Sequence, residues 1–333
     1  MLPLLVIVAS LVSQSLGAAF AKGLFAAVGV DGMTGLRIVL SALLLLAFWR
    51  PWRHRLACAD IGNLLAYGAM LGAMNLCIYH AFARIPIGIA TAIEVTGPLA
   101  LVLAGARRGS DVAWVALATA GLWLLLATAG PAGAGAASAA ASASAGPTAG
   151  DMAGDMVGHM AEQMAGPTPN AARPAALDPW GVAFAFGAAA AWAFYIVFGK
   201  RVAGLARGQA VSLGMGVAAL PALALLATHA GAHGGAALLA PRTLLWGLAV
   251  ALLSSALPYS LEMAALRRLS RRVFGILVSA TPAVGALCGF FVLGERLAAA
   301  QWLGVACIVA ASAGGAAAGR RGPAAALDQA TAN

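Results

Sequence analysis

Along this chain the apolar positions follow neither the alternation of a half-buried strand nor the narrow stripe of a surface helix. They form nearly charge-free runs of about 20 residues, set apart by short clusters of Arg, Lys, Asp and Gly. Ten such runs lie near residues 3–21, 33–49, 61–83, 86–105, 112–130, 180–198, 210–228, 243–263, 273–293 and 299–318. At about 1.5 Å per residue, each is long enough to cross a hydrocarbon core of roughly 30 Å. Backbone groups in lipid must pair within their own segment, so the pattern predicts an all-α membrane protein of ten transmembrane helices. A barrel is excluded, because its strands would alternate apolar and polar residues and these runs are apolar throughout.

Composition agrees. The chain is 62% apolar and 9% charged, with a mean hydropathy of +0.90. A soluble domain carries roughly 25% charged residues. Ala19-Phe20-Ala21 has the small-x-small form of a secretory cleavage site, but no basic residue precedes the first run, and retention as a span is expected. Cys58, Cys77, Cys288 and Cys307 fall in or beside spans without metal-ligand spacing and read as reduced packing residues.

The net charge of +9 raises nucleic acid as a partner, and the placement of the basic residues answers against it. With the N-terminus inside, the cytoplasmic loops hold Arg50, Arg53, Arg55, Arg107, Arg108, Lys200, Arg201, Arg207, Arg267, Arg268, Arg271, Arg272, Arg320 and Arg321. These are 14 of the 20 basic residues. The positive-inside rule therefore puts both termini in the cytoplasm, with the bilayer as partner and no nucleic acid.

An Ala/Gly/Ser/Pro-rich segment, residues 131–178, divides a first set of five spans (1–130) from a second (179–318), and a cytoplasmic tail follows (319–333). The segment reads as a disordered external linker. It contains the repeat DMAG-DMVG-HMAE-QMAG, in which Met152, Met156, Met160 and Met164 with His159 have the softness for Cu(I). Composition alone supports that idea, so no metal is expected. Sliding the sequence by 184 positions sets Ala81-Phe82-Ala83-Arg84 on Ala265-Leu266-Arg267-Arg268, Pro98 on Pro282 and Gly105 on Gly289. Five spans are an odd number, so the second copy enters from the opposite side. That is the inverted repeat of many secondary transporters, whose substrate site lies at the midplane on interrupted helices.

Pro98 and Pro282 are the expected interruptions, freeing the carbonyls of Glu94 and Val278, and Pro258 is a third helix-breaking proline. Glu94 falls about 12 Å inside the outer end of the fourth span. A carboxyl there costs on the order of 3 kcal/mol on insertion scales and should face the bundle interior. It is either a proton-coupling group, whose protonation depends on what else occupies the site, or a structural acid bonded to a neighbouring helix. Thr91 shares its face, and Asn75 and Tyr79 form an i,i+4 pair on the third span. Each could line the same cavity or bridge helices. Lys22 and Arg37 could meet a carboxylate or snorkel to the interface. Trp192, Tyr195 and Tyr259 could surround a substrate or simply pack. Glu262, close before the arginines at 267, 268, 271 and 272, could pair with them as a gate.

The stretches "SQSLGAAFAKGLF", "RPWR", "AIEVTGPLA", "WAFYIVFGKR", "ALPYSLEMAALRRL", "FGILVSATPA" and "LGER" together give a resemblance that runs through nearly every span. The chain resembles the threonine/homoserine exporters of the drug/metabolite transporter superfamily, built from two inverted five-helix EamA-type repeats. The resemblance implies an inner-membrane exporter of small neutral hydroxy amino acids, with protons as the exchanged partner and no cofactor. It puts Glu94 and Glu262 in the family's two signature-acid positions. Superfamily members often carry Glu directly before the second-half proline; here Thr281 stands there, which weighs against a symmetric two-acid mechanism and leaves Thr281 as a candidate substrate contact. The linker is also longer than expected. Another cargo on the same fold remains the nearest alternative. A membrane enzyme would need clustered His, Cys or Asp ligands or a Ser-His arrangement, which the sequence lacks.

Overall fold

The computed structural model describes residues 2–104, 109–127, 177–202, 204–206, 208–233, 235–266 and 277–318. Among these residues the regular structure is entirely helical: α1 (Leu2–Gly23), α2 (Phe25–Val28), α3 (Val30–Trp49), α4 (Cys58–Phe82), α5 (Ile87–Ala104), α6 (Gly109–Ala127), α7 (Pro179–Arg201), α8 (Gln209–His233), α9 (Ala236–Leu239), α10 (Pro241–Ala251), α11 (Leu257–Leu266), α12 (Thr281–Leu293) and α13 (Ala299–Ala318). A single 3₁₀ turn, Pro51–Arg53, follows α3, and one π turn, Leu252–Ala256, joins α10 to α11. Linker residues 131–176 with the methionine repeat, the arginines at 107, 108, 267, 268, 271 and 272, and the tail from 319 lie outside the described residues.

Among the described residues each predicted run overlaps helix, the ninth interrupted by a turn at residues 279–280. The segments α1, α3, α4, α7 and α8 are long and apolar enough to cross a membrane; parts of α5, α6, α12 and α13 form shorter apolar helices. Two ends show why the chain turns where it does. Asp178 caps α7 by accepting from the Trp180 N–H at 2.9 Å, with Pro179 in the first turn, where its missing donor costs nothing. Arg50 ends α3 in a left-handed conformation (φ 45°) just before Pro51, which cannot continue the helix with a hydrogen bond.

The packing is that of a protein in lipid. Large apolar side chains point outward, among them Phe48, Trp52, Trp123, Leu220 and Phe291, while serines 10, 13, 15, 41, 254 and 255 are buried. The principal helix contacts cross between the two predicted sets: α4 with α7 and α8, α3 with α8, α5 with α7 and α12, α6 with α13, and α1 with α11 and α12. Small residues allow these approaches. At the crossing of α6 and α13, a Cβ on Gly121 would lie 2.8 Å from the Gly304 carbonyl oxygen. On α5, a Cβ on Gly97 would run into the Ala189 carbonyl of α7. Backbone cannot rotate away as a side chain can, so Gly97→Ala is expected to destabilise the protein by about 1–3 kcal/mol. The control Gly62→Ala adds its methyl where nothing lies within 4 Å, on an exposed helix face, and is expected to be neutral or slightly stabilising. Thermal unfolding of the two variants in detergent checks the contrast; equal midpoints would count against the close crossing.

Candidate functional site

A cavity of about 460 Å³ lies between the two sets of helices. The first set contributes Gln14 and Ser15 of α1, Arg37 of α3, Asn75 and Tyr79 of α4, and Thr91, Glu94 and Pro98 of α5. The second contributes Trp192 and Tyr195 of α7, Ser254 of the π turn, Tyr259 and Glu262 of α11, Ser279 and Thr281 around the start of α12, and Ser312 of α13. The walls are mostly apolar with a few convergent polar groups, the usual make-up of a small-molecule site.

Arg37 and two acids, Glu94 and Glu262, line this space, and among the described residues no ion pair joins Arg37 to either acid. Arg37 is 2% exposed and is held by neutral groups: its Nη1 donates to Ser254 Oγ at 3.1 Å and Ser255 Oγ at 3.0 Å, and its Nη2 donates to Asn75 Oδ1. Its guanidinium lies over the Tyr79 ring, 4.1 Å from the centroid. The Asn75 amide is fixed for this task, since its Nδ2 donates to the Leu71 carbonyl at 2.8 Å. Glu94 is 9% exposed, and no residue among those described donates a hydrogen bond to its carboxyl or pairs with it. Glu262 accepts from the Ser10 hydroxyl at 3.1 Å, which binds α11 to α1. Tyr195 shares a hydroxyl-to-hydroxyl bond of 2.9 Å with Tyr67, the rings stacked 4.7 Å apart.

Comparison with known proteins places the chain. Residues 179–314 match the EamA-like transporter family. Over 314 residues the chain is 40% identical to the threonine/homoserine exporter RhtA of Escherichia coli strain K12, an alignment covering 94% of this chain and 90% of that protein. Over 323 residues it is 41% identical to the protein of the same name from Salmonella typhimurium strain LT2, covering 97% and 94%. The chain belongs to the EamA-type threonine/homoserine exporter family. Members of this family are transporters, and with its apolar helices this one is a multi-pass inner-membrane protein.

Within this exporter-family fold, most of the candidates read from the sequence converge on one cavity. Lys22 does not. Its ammonium bonds Glu295 Oε1 at 2.7 Å and the Ile85 carbonyl at 2.9 Å, and Glu295 Oε2 also accepts from the Ile87 N–H at 2.9 Å. A carboxylate in the "LGER" stretch therefore holds this cation, and Gly289 leaves room for it, since a Cβ there would meet the Glu295 carboxylate.

The prolines behave differently from one another. α5 runs through Pro98 without a break, whereas Pro282 sits in the first turn of α12, preceded by a turn at residues 279–280. The Val278 carbonyl, expected to face the cavity unpaired, accepts from the Thr281 hydroxyl at 2.5 Å. Pro258 lies just beyond the π turn, where the wider helical turn accommodates its ring and missing N–H. The Thr91 hydroxyl also donates to backbone, to Ile87 at 2.9 Å and Gly88 at 3.2 Å, leaving its oxygen to accept. The expected pairing of Glu262 with the arginines at 267–272 falls outside the described residues. Serines 254 and 255 had no part in the sequence reading; two serines ahead of Pro258 were their only signal.

Proposed function

We propose that this protein exports small neutral amino acids of the threonine and homoserine type across the inner membrane, in exchange for protons. The observation that carries this reading is one cavity lined by a carboxyl that no described residue pairs with, Glu94, and a guanidinium held only by neutral groups, Arg37, beside a second carboxyl, Glu262, that is bonded to Ser10. A zwitterion carries the matching charges. The names of its relatives support the cargo class: they are threonine/homoserine exporters.

In this reading residues 1–130 and 179–318 are two inverted five-helix halves with both termini in the cytoplasm, and residues 131–178 form the external linker. The packing supports the two-fold relation. When the order of the ten segments is shifted by five, the contact of α4 with α7 answers that of α1 with α10–α11, α5 with α7 answers α1 with α12, and α4 with α8 answers α3 with α10. A cavity at the seam then opens to alternate sides as the halves rock. Glu94 holds either the substrate ammonium or a proton, so cargo leaving exchanges with protons entering. Glu262, bonded to Ser10 across α1 and α11, is the second proton-coupling candidate. Thr91, Trp192, Tyr195, Tyr259 and Thr281 shape the space around the substrate side chain.

The test is an export screen over all amino acids in proteoliposomes holding the purified protein, with an imposed proton gradient. Threonine and homoserine are expected to leave fastest, and collapse of the gradient is expected to slow them. A protein that moves no amino acid in this assay would defeat the proposal.

A further inference from the structure

The Arg37 seat is more elaborate than a buried cation held for structure alone would need. A charge inside a membrane protein is costly unless paired, and here no carboxylate among the described residues pairs with Arg37. Its Nε is buried and makes no hydrogen bond, so neutral neighbours leave its donor capacity unfilled as well as its charge. Meanwhile the surroundings hold it firmly. Tyr79 covers one face, the fixed amide of Asn75 takes Nη2, and the π turn turns two successive hydroxyls, Ser254 and Ser255, toward Nη1. The π turn is itself clamped to α1: Ser13 donates to the Leu253 carbonyl at 2.8 Å, and a Cβ on Gly17 would lie 2.7 Å from the Ser254 nitrogen. Single π turns inside helices recur at functional sites. Ser254 accepts from Arg37, so its own O–H remains to be donated, and it lines the cavity beside the guanidinium.

We infer that Arg37 and Ser254 form the anchor for the α-carboxylate of the transported amino acid, with Asn75, Ser255 and Tyr79 as its positioning residues. This rests on the exporter reading and deepens it. An incoming carboxylate supplies the missing counter-charge, accepting charge-assisted bonds from Arg37 and a hydrogen bond from the Ser254 hydroxyl. The site therefore selects for a free carboxylate and rejects amino alcohols, amino amides and amines of the same side chain. Glu94, which lines the same cavity and forms no ion pair with Arg37, takes the ammonium.

The experiment is counterflow of labelled threonine in proteoliposomes of the full chain, in competition with threonine, threonine amide and 1-amino-2-propanol. In the wild type the two analogues without a carboxylate are expected to compete on the order of 100-fold more weakly, the worth of a lost charge-assisted hydrogen bond. In Arg37→Gln, threonine is expected to fall to the level of the amide while the amide itself is unchanged. Equal competition by threonine and its amide in the wild type overturns the inference, and so does an equal loss of both in the variant, which is the mark of a purely structural arginine. The wild-type series decides even if Arg37→Gln does not fold. Absence of counterflow with every amino acid is a separate outcome, and it overturns the exporter reading on which the inference rests.

Discussion

Glu94→Gln is expected to abolish proton-driven export while leaving insertion and folding intact. The substitution keeps the shape and the burial of the side chain and removes only its ability to carry a negative charge or a proton. Two consequences follow from that one loss. The substrate ammonium loses a charge-assisted partner worth about 1.5–3 kcal/mol, which is roughly 10- to 100-fold in affinity. The coupling group is also gone, so substrate release no longer has a proton to exchange for. A group that binds both cargo and proton makes their binding mutually exclusive, and without that exclusivity a gradient has nothing to act on. Export from loaded proteoliposomes should therefore become both slow and insensitive to pH. Glu94→Asp, which shortens the side chain but keeps its chemistry, is expected to retain pH-dependent transport at reduced rate. Wild-type pH dependence in Glu94→Gln would remove this residue from the mechanism, and Glu262, which also lines the cavity, would take its place.

The positions of the helices were legible in the sequence because they depend on a property each segment carries alone: enough consecutive apolar residues to span lipid. The interior acid was legible for the same reason, since a carboxyl within an apolar run can be placed by counting. Partnerships were not. Lys22 and Arg37 read as equivalent cations near the ends of their spans, yet Lys22 reaches Glu295, a residue 273 positions away, while Arg37 finds only neutral oxygens and an aromatic face. Which cation is satisfied depends on tertiary packing, and no local pattern reports it. The prolines make the same point. Pro98 and Pro282 match under the internal shift, but one lies mid-helix and the other begins a helix, because a short turn at residues 279–280 precedes the second. The π turn was hidden for another reason. Nothing in "LLSSALPY" distinguishes a widened turn from an ordinary one, and only its contacts with Ser13, Gly17 and Arg37 give its serines a purpose.

The Lys22–Glu295 pair carries the second large prediction. It joins the last turn of α1, the start of α5 and the segment after α12, with side chains 21% and 12% exposed, and in the proposed orientation it lies on the outer side of the cavity. An alternating-access carrier must open that side, and these bonds hold it shut. Cutting them with Glu295→Gln removes an ion pair and weakens the bond to the Ile87 N–H, at a cost of about 1–3 kcal/mol, so the outward-open population should rise at least ~5-fold. The measurement is labelling by a membrane-impermeant maleimide of a single cysteine placed at Ala18, a cavity residue, with Cys58, Cys77, Cys288 and Cys307 replaced by Ser. Labelling should accelerate in Glu295→Gln and in Lys22→Met alike. The charge-swapped protein, Lys22→Glu with Glu295→Lys, is a sharper test. An ion pair acting alone would be restored by the swap. Here the swap turns a carboxylate toward the Ile85 carbonyl and an ammonium toward the Ile87 N–H, two repulsive contacts where there were two hydrogen bonds. The swapped protein should therefore label as fast as the single variants, and a return to wild-type labelling would show that the backbone contacts play no part in keeping the outer side closed.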